Sequence, residues 1–246
     1  MSQDTQSAAH AVQQSPAGKS AKAKLPQRIV RLLAGTAILC LILFGTAGRV
    51  NWLGAWAFVA LFFLFLLFAL VWGTRNAPEL LDERAKPGGN VKSWDKVIMR
   101  IYSLVLISLF VVAALDAGRF RWSHMTAVWQ VMGGAIFLLS GSVIFWCMKT
   151  NAFLSARARI QDDRGQTVVQ DGPYQYVRHP MYIGIMVLMP GVALLLGSWW
   201  ALAPAGVIAI LFVIRTALED KMLRAELPGY QEYASKVRYR LVVGVW

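Results

Sequence analysis

The sequence predicts an all-α membrane protein, a polytopic transmembrane helical bundle of five to six membrane segments that ends in a helical hairpin and a cytoplasmic C-terminal helix. The first observation is composition, because the 246 residues are 57% hydrophobic and only 15% charged, whereas soluble domains carry about 25% charged residues. The second is that five runs contain no charged residue, and about 20 apolar residues suffice for one helical crossing. These runs cover residues 32–48, 50–74, 101–115, 122–148 and 181–214.

The last uncharged run predicts two helices rather than one. Its 34 residues are too many for a single crossing, and Gly197 and Ser198 interrupt it where a turn would fall. A helical hairpin at this place gives six membrane segments in total. Because both helices of the hairpin are short, five segments remain the alternative count.

The basic residues predict the orientation of the bundle, because cytoplasmic loops retain Lys and Arg during membrane insertion. With six segments, 22 of the 25 Lys and Arg residues lie on the side of the two termini and three lie on the other side. We therefore expect both termini in the cytoplasm. The same bias explains the net charge of +12 without nucleic acid, since the basic residues also lack interleaved exposed aromatic residues.

Three regions follow one another along the chain. Residues 1–28 are rich in Ser, Ala and Gln and poor in large apolar residues, so we expect a disordered N-terminal tail. Residues 29–150 contain the first four membrane helices, and residues 151–246 contain the hairpin and the C-terminal helix. Cys40 and Cys147 both lie in apolar runs, which supports neither a disulfide framework nor a metal site.

The connection over residues 74–96 is long enough to do more than join two helices. A cluster of charged residues predicts a short amphipathic segment there, followed by the turn signal Pro-Gly-Gly at 87–89. The simpler interpretation is a solvated cytoplasmic loop, because runs of charge usually face water. The charged residues are Asp82, Glu83, Arg84 and Lys86.

Polar residues gather at the start of the fifth segment and at the end of the sixth. In RHPMYIG, Arg178 and His179 precede Pro180, which suits the first turn of a helix. The unpaired N–H groups and the dipole of such a helix start attract a carboxylate or a phosphate. Because the hairpin reverses direction, both ends lie at the same membrane depth, and we expect one shared polar pocket at the cytoplasmic interface. The motif RTALED at the end of the sixth segment contributes Arg215, Glu219 and Asp220.

Each motif also has a simpler structural explanation. Arg178 would extend to lipid phosphates, and His179 would lie at the membrane interface. Arg215 and Glu219 are four residues apart on one helix face, so they would form an intrahelical ion pair. The residues alone indicate a pocket for a ligand with cationic and anionic parts and do not identify that ligand.

Three motifs in a fixed order around the hairpin resemble a known family, the isoprenylcysteine carboxyl methyltransferase and phospholipid methyltransferase superfamily of integral-membrane enzymes. A further segment upstream, NAFLSARARIQDDRGQTVVQDGPY, resembles the bacterial branch of that family. Asp220 departs from the pattern because the family often has a second Glu there, and Val243 stands where a Pro often precedes the terminal Gly-x-Trp. The three motifs are GPYQYVRHPMYIG, RTALED and LPGYQEYASKVRYRL.

The resemblance implies S-adenosylmethionine as the methyl donor and no metal. Residues 151–246 would be the cofactor-binding methyltransferase core, with the cofactor between the RHP-containing segment, the hairpin and the C-terminal helix. Arg215 would hold the carboxylate of the acceptor or orient Glu219. The residues implied as catalytic are Arg178, Arg215 and Glu219. Those implied as cofactor-binding are Tyr176, Arg178, His179, Tyr182, Gly184, Glu219 and Asp220.

The resemblance also implies a lipid, or a prenylated or otherwise apolar-tailed small molecule, as the acceptor. A carboxylate is the leading acceptor group, because methyl transfer from a sulfonium to a carboxylate needs no general base. Phospholipid N-methylation is the alternative, and it would need Glu219 or His179 as a base to neutralise the amine. A membrane NADPH-dependent oxidoreductase that resembles sterol reductases in its helical layout is a further alternative. The oligomeric state stays open.

Overall fold

The computed structural model describes residues 16–85 and 90–246, with side chains from Lys24 onward. These ranges contain helices and loops and no β-strand, which confirms the predicted all-α fold. The helices in chain order are α1 (Pro16–Cys40, continued by a π-helical turn over Leu41–Gly45), α2 (Leu53–Asn76), α3 (Pro78–Ala85), α4 (Ser93–Ala113, continued by π-helical turns over Ala114–Phe120), α5 (Ala127–Thr150), α6 (Pro180–Leu195), α7 (Leu202–Glu226) and α8 (Tyr230–Lys236).

The helices confirm a polytopic bundle. The fifth predicted segment is helix α6, whose 16 residues give a length of about 24 Å at 1.5 Å per residue. Because the hydrocarbon core of a bilayer is about 30 Å thick, α6 is short for a full crossing. Within the described ranges, the stretches long and apolar enough to cross a membrane are Lys24–Gly45, Leu53–Asn76, Ser93–Phe120, Ala127–Thr150 and Leu202–Glu226.

Helix α1 begins earlier than the sequence predicts. The expected disordered tail extends through residue 28, whereas the helix starts at Pro16, and residues 1–15 of the tail lie outside the described part of the chain. The side chains of Lys24 and Arg28 reach the carboxylate of Asp82 at 3.1 and 2.7 Å. These contacts with α3 stabilise a part of α1 that has little apolar surface to bury, and its Ala and Lys residues favour helix.

The charged connection after α2 forms the amphipathic segment that the sequence predicts. It is helix α3, which buries Leu80 and Glu83. The turn signal at 87–89 lies outside the described residues. Helix α3 therefore packs on the bundle and is more than a solvated loop.

Helix α6 packs against α5 at backbone distance. A Cβ atom on Gly133 of α5 would lie 2.7 Å from the carbonyl oxygen of Gly191 in α6. A Cβ atom on Gly191 would lie 2.7 Å from Ile136 Cγ2. Both distances are well inside the roughly 3.5–4.0 Å optimum for non-bonded atoms, so the close approach requires glycine at these two positions.

The turn between α6 and α7 confirms the predicted hairpin. Gly197 has a φ of +81°, which favours glycine. Ser198 Oγ donates a 2.6 Å hydrogen bond to Asp116 Oδ2, and Ser123 Oγ donates a second 2.6 Å hydrogen bond to the same oxygen. The turn is thereby attached to the end of the α4 stretch, and the start of α6 and the end of α7 meet at the opposite end of the bundle.

Candidate active site

A cavity lies where the start of α6 meets the end of α7. Its walls come from the loop over residues 151–169, the first turn of α6, the last turns of α7, and α8. Four of the predicted residues line it, namely Arg178, His179, Tyr182 and Glu219.

Arg178 and Asp220 form a buried ion pair beside this cavity. Arg178 Nε lies 2.7 Å from Asp220 Oδ1, and Nη2 lies 3.3 Å from Oδ2. The Asp220 carboxylate also accepts hydrogen bonds from Tyr230 Oη at 3.0 Å, from Arg224 Nε at 3.1 Å and from Arg240 Nε at 3.0 Å. Asp220 is therefore the centre of a polar network that joins α6, α7, α8 and the C-terminal segment.

The remaining guanidinium nitrogen of Arg178 binds the end of α8. Nη1 donates to the carbonyl oxygens of Val237 at 2.8 Å and Arg238 at 3.0 Å. The carbonyl groups at a helix end have no intrahelical partner and favour a cation. With its guanidinium bonded on both sides, Arg178 holds the walls of the cavity together. The family resemblance implies both catalytic and cofactor-binding roles for Arg178 and a cofactor-binding role for Asp220; Arg178 lines the cavity and Asp220 does not.

Glu219 and Tyr182 present a polar pair to the cavity. The Tyr182 hydroxyl donates a short hydrogen bond to Glu219 Oε2. Within the described part of the chain this is the one hydrogen bond that Glu219 makes. The carboxylate is only half-buried, so it retains capacity to accept hydrogen bonds from a ligand.

His179 has an unsatisfied nitrogen beside that pair. Its ring stacks on the Tyr182 ring with centroids 5.6 Å apart, and its backbone N–H donates to the Arg240 carbonyl oxygen at 2.9 Å. Nε2 is buried without a hydrogen-bond partner among the described residues and lies 3.7 Å from Asp220 Oδ1. A buried polar atom without a hydrogen-bond partner is unusual in proteins, and the nearest acceptor described for this nitrogen is the Asp220 carboxylate.

Arg215 has a different partner from the one its spacing predicts. Arg215 Nε lies 2.9 Å from Asp95 Oδ1, and Nη2 donates to the Ala156 carbonyl oxygen at 3.2 Å. The ion pair with Glu219 expected four residues away is not formed, because a buried carboxylate of α4 takes the guanidinium instead. Arg215 lies behind the Tyr182 ring, 5.2 Å from its centroid, and does not line the cavity.

Tyr176 and Gly184 do not reach the cavity either. Tyr176 is 62% exposed, because the short 3₁₀ turn Gly172–Gln175 directs Tyr174 inward and leaves Tyr176 outside. A Cβ atom on Gly184 would lie 2.7 Å from Ile144 Cγ1 of α5. Gly184 therefore allows close packing of α6 on α5, and its contact with a cofactor stays a prediction.

Three tyrosines that sequence reasoning missed form the aromatic wall of the cavity: Tyr174, Tyr230 and Tyr233. The Tyr233 hydroxyl donates to the Tyr174 carbonyl oxygen at 2.7 Å. Burial raises the pKa of each of these phenols well above its ordinary value, so all three are neutral at physiological pH. The sequence signal was present in the repeated Tyr of GPYQY and GYQEY, but it does not distinguish inward from outward positions.

Comparison with known proteins finds a similarity that includes the hairpin. Residues 128–227 match the family model described as phospholipid methyltransferase. The chain is also 28% identical over 160 residues to the cobalt-zinc-cadmium resistance protein CzcN of Cupriavidus metallidurans, with 61% of this chain and 68% of that protein covered. In the described part of the chain, no group of three or more His, Cys, Asp or Glu is placed to hold a metal ion.

The loop that covers the cavity is held by residues outside the matched range. Arg159 Nη2 lies 2.7 Å from Glu83 Oε1 of α3. The Ala158 N–H donates to Asp95 Oδ2 at 3.0 Å, so Asp95 binds both the loop and Arg215. The N-terminal half therefore positions one wall of the candidate site, which the family motifs alone do not indicate.

Proposed function

We propose that this protein is an integral-membrane S-adenosylmethionine-dependent methyltransferase that transfers a methyl group to a lipidic or apolar-tailed acceptor, with a carboxylate as the acceptor group. The observation that carries the proposal is the cavity at the end of the hairpin, which presents His179, Tyr182 and Glu219, all three within the range matched by the family model. The domain boundary at residue 151 belongs to the same proposal, because the cavity walls lie at 151 and beyond.

The residues of the cavity fit the proposed cofactor. His179 Nε2 makes no hydrogen bond in the described structure, although Asp220 Oδ1 lies 3.7 Å away, and we propose that it bonds to a polar group of the ligand. The Glu219 carboxylate would accept hydrogen bonds from ribose hydroxyls or from an ammonium group. Val168, Leu223 and Leu227 supply apolar surface for a base. When bound, S-adenosylmethionine supplies an electrophilic methyl group on its sulfonium.

The chain would contribute positioning and exclusion of water. The loop over residues 151–169 covers the cavity, and the Arg178–Asp220 pair holds its other walls together. Holding an acceptor oxygen in line with a reacting carbon accounts for a large share of catalysis in such displacements. A carboxylate acceptor loses no proton, so the unpaired His179 is not required as a base. We also propose that the cavity faces the cytoplasm, in accord with the distribution of basic residues.

Phospholipid N-methylation is the second candidate, because the matched family model carries that description. An amine acceptor must be neutral before it attacks, and His179 Nε2 is then the group placed to take the proton. Methyl transfer from labelled S-adenosylmethionine to oleate or to phosphatidylethanolamine in mixed micelles separates the two acceptor classes.

The cofactor is tested first by thermal unfolding of the detergent-purified protein with S-adenosylhomocysteine, because a ligand that binds only the folded state raises Tm. We expect a saturable rise for the wild-type protein and its loss in Glu219→Gln. Glu226→Gln is the matched control, since Glu226 lies on the same helix and its partner Lys92 is away from the cavity. A rise with NADPH and none with S-adenosylhomocysteine would contradict the proposal.

A further inference from the structure

Arg157 brings a positive charge to the wall of the candidate site. The residue belongs to the covering loop, lines the cavity and is exposed. Within the described part of the chain, its guanidinium forms no hydrogen bond, and no carboxylate lies within ion-pair distance of it. The charge of Arg157 is therefore available to a ligand in the cavity.

The two other arginines of the cavity wall are already compensated by acids. Arg159 Nη2 lies 2.7 Å from Glu83 Oε1, and Arg178 Nε lies 2.7 Å from Asp220 Oδ1. Both of these guanidinium groups are largely buried, and removing such a group from water is costly without an opposite charge. Arg157 keeps its contact with water, so it needs no acid from the chain and can bind an anion that enters the cavity.

The backbone on both sides of Arg157 is held by buried residues. Arg215 Nη2 donates to the Ala156 carbonyl oxygen at 3.2 Å, and the Ala158 N–H donates to Asp95 Oδ2 at 3.0 Å. Arg215 and Asp95 also pair with each other at 2.9 Å. The loop therefore presents Arg157 from a fixed backbone, and such preorganisation lowers the cost of binding a ligand.

Glu219 supplies the opposite charge to the same cavity. It lines the wall, accepts a hydrogen bond from Tyr182 and forms no ion pair with a described residue. A guanidinium and a carboxylate that line one cavity without ion-pair partners are complementary to a ligand with both signs of charge. An α-amino acid group has this pattern, because it carries a carboxylate beside an ammonium.

We propose that Arg157 binds the α-carboxylate of S-adenosylmethionine, so that the amino-acid end of the cofactor lies against the loop at residues 155–157. A guanidinium fork binds a carboxylate through two parallel hydrogen bonds, and Arg178 has no free fork to offer because Asp220 occupies it. The inference rests on the proposed function and adds to it a binding residue and the orientation of the cofactor. Arg215 and Asp95 then act as positioning residues through the backbone of the loop.

The test compares two ligands that differ only at the carboxylate. They are S-adenosylhomocysteine and its decarboxylated analogue, in which a hydrogen atom replaces the carboxylate. Each is titrated calorimetrically into the full chain in neutral detergent micelles at low ionic strength, because salt screens an exposed charge. For the wild-type protein we expect S-adenosylhomocysteine to bind with the lower Kd.

Arg157→Gln should raise the Kd for S-adenosylhomocysteine roughly ten-fold, as expected for the loss of a charge-assisted hydrogen bond, and should not raise that of the analogue. Arg157→Lys should give an intermediate Kd, because it keeps the charge and loses the planar fork. Both variants should keep the wild-type Tm, since the guanidinium has no described contact to lose.

Lys149→Gln is the matched control. Lys149 is exposed at the end of α5 and does not line the cavity, so this variant removes one positive charge from the same end of the bundle. It should leave the Kd for S-adenosylhomocysteine unchanged. Equal weakening in Lys149→Gln and Arg157→Gln would overturn the inference, because it would show only a general effect of charge.

Two other outcomes would also overturn the assignment of Arg157. One is equal Kd values of the two ligands for the wild-type protein, a comparison that needs no variant to fold. The other is an equal rise of both Kd values in Arg157→Gln. In each case S-adenosylhomocysteine still binds and the proposed function stands. Absence of binding of both ligands to the wild-type protein would instead overturn the proposed function, and this inference with it.

Discussion

We expect the Asp220→Asn variant to show that the Asp220 carboxylate stabilises the fold, whereas the family resemblance implies that it binds the cofactor. The side chain of Asp220 is 1% exposed and lies 2.7 Å from Arg178 Nε. Substitution by asparagine removes the negative charge and leaves the buried Arg178 guanidinium without its counter-ion. An asparagine NH₂ group would also face donors, because all the described partners of Asp220 donate hydrogen bonds.

The magnitude follows from the burial of this pair. Removing one partner of a buried ion pair costs about 3–5 kcal/mol. For a chain of this size, each kcal/mol lowers Tm by about 2–4 °C. We therefore expect Asp220→Asn to lower Tm by roughly 6–20 °C. The loss should appear already without S-adenosylhomocysteine, since Asp220 does not line the cavity and its effect on the fold needs no ligand.

The assay is thermal unfolding of purified protein in one detergent, with Arg224→Gln as the control. Arg224 Nε also lies 3.1 Å from Asp220, but its side chain is 42% exposed. Such an exposed partner contributes at most about 1 kcal/mol, so the control should keep a Tm close to that of the wild-type protein. An Asp220→Asn variant with the wild-type Tm and no response to S-adenosylhomocysteine would refute the structural role and restore the cofactor role.

Three further predictions concern other parts of the site. Tyr182→Phe removes the described hydrogen bond of Glu219 and should weaken S-adenosylhomocysteine binding about ten-fold, measured by titration; an unchanged Kd would contradict it. Asp95→Asn leaves Arg215 buried without its carboxylate, which should cost about 3 kcal/mol and speed tryptic cleavage of the loop over residues 151–169; wild-type Tm and cleavage rate would contradict it. Gly184→Leu overpacks the contact with α5 and should cost about 1–3 kcal/mol in thermal unfolding, and a stable variant that loses only cofactor binding would instead indicate contact with a ligand.

The architecture followed from local patterns because a membrane helix satisfies its own backbone hydrogen bonds. Uncharged runs of span length therefore predict helices without knowledge of their neighbours, and the interruption at Gly197 predicts the hairpin. The predicted end of the N-terminal tail at residue 28 differs from the start of α1 at Pro16, because this start depends on contacts between distant residues. Helix at residues 16–28 is supported by contacts of Lys24 and Arg28 with Asp82, a residue more than 50 positions away.

The candidate site was predicted in part. The hairpin argument places the RHP motif and the RTALED motif together, and His179, Tyr182 and Glu219 do line one cavity. The same argument gives no information about side-chain direction. Tyr176, Gly184 and Asp220 were therefore among the predicted cofactor-binding residues, although none of them lines the cavity. Asp95, which binds both the covering loop and Arg215, was not assigned to the site, because a resemblance in the loop ERAKPGGNVKSWDK gives no information about which distant residues it contacts.

The sequence by itself determined that this protein is a helical membrane bundle and that two polar motifs meet at one end of a hairpin, because apolar length and the position of turns are local properties. Only the tertiary structure decided which acid pairs with which arginine. Arg178 binds Asp220, 42 residues away, and Arg215 binds Asp95, 120 residues away, rather than the carboxylate one helical turn along. In a low-dielectric interior, a buried guanidinium takes the carboxylate that is buried with it, and that choice depends on how distant helices pack.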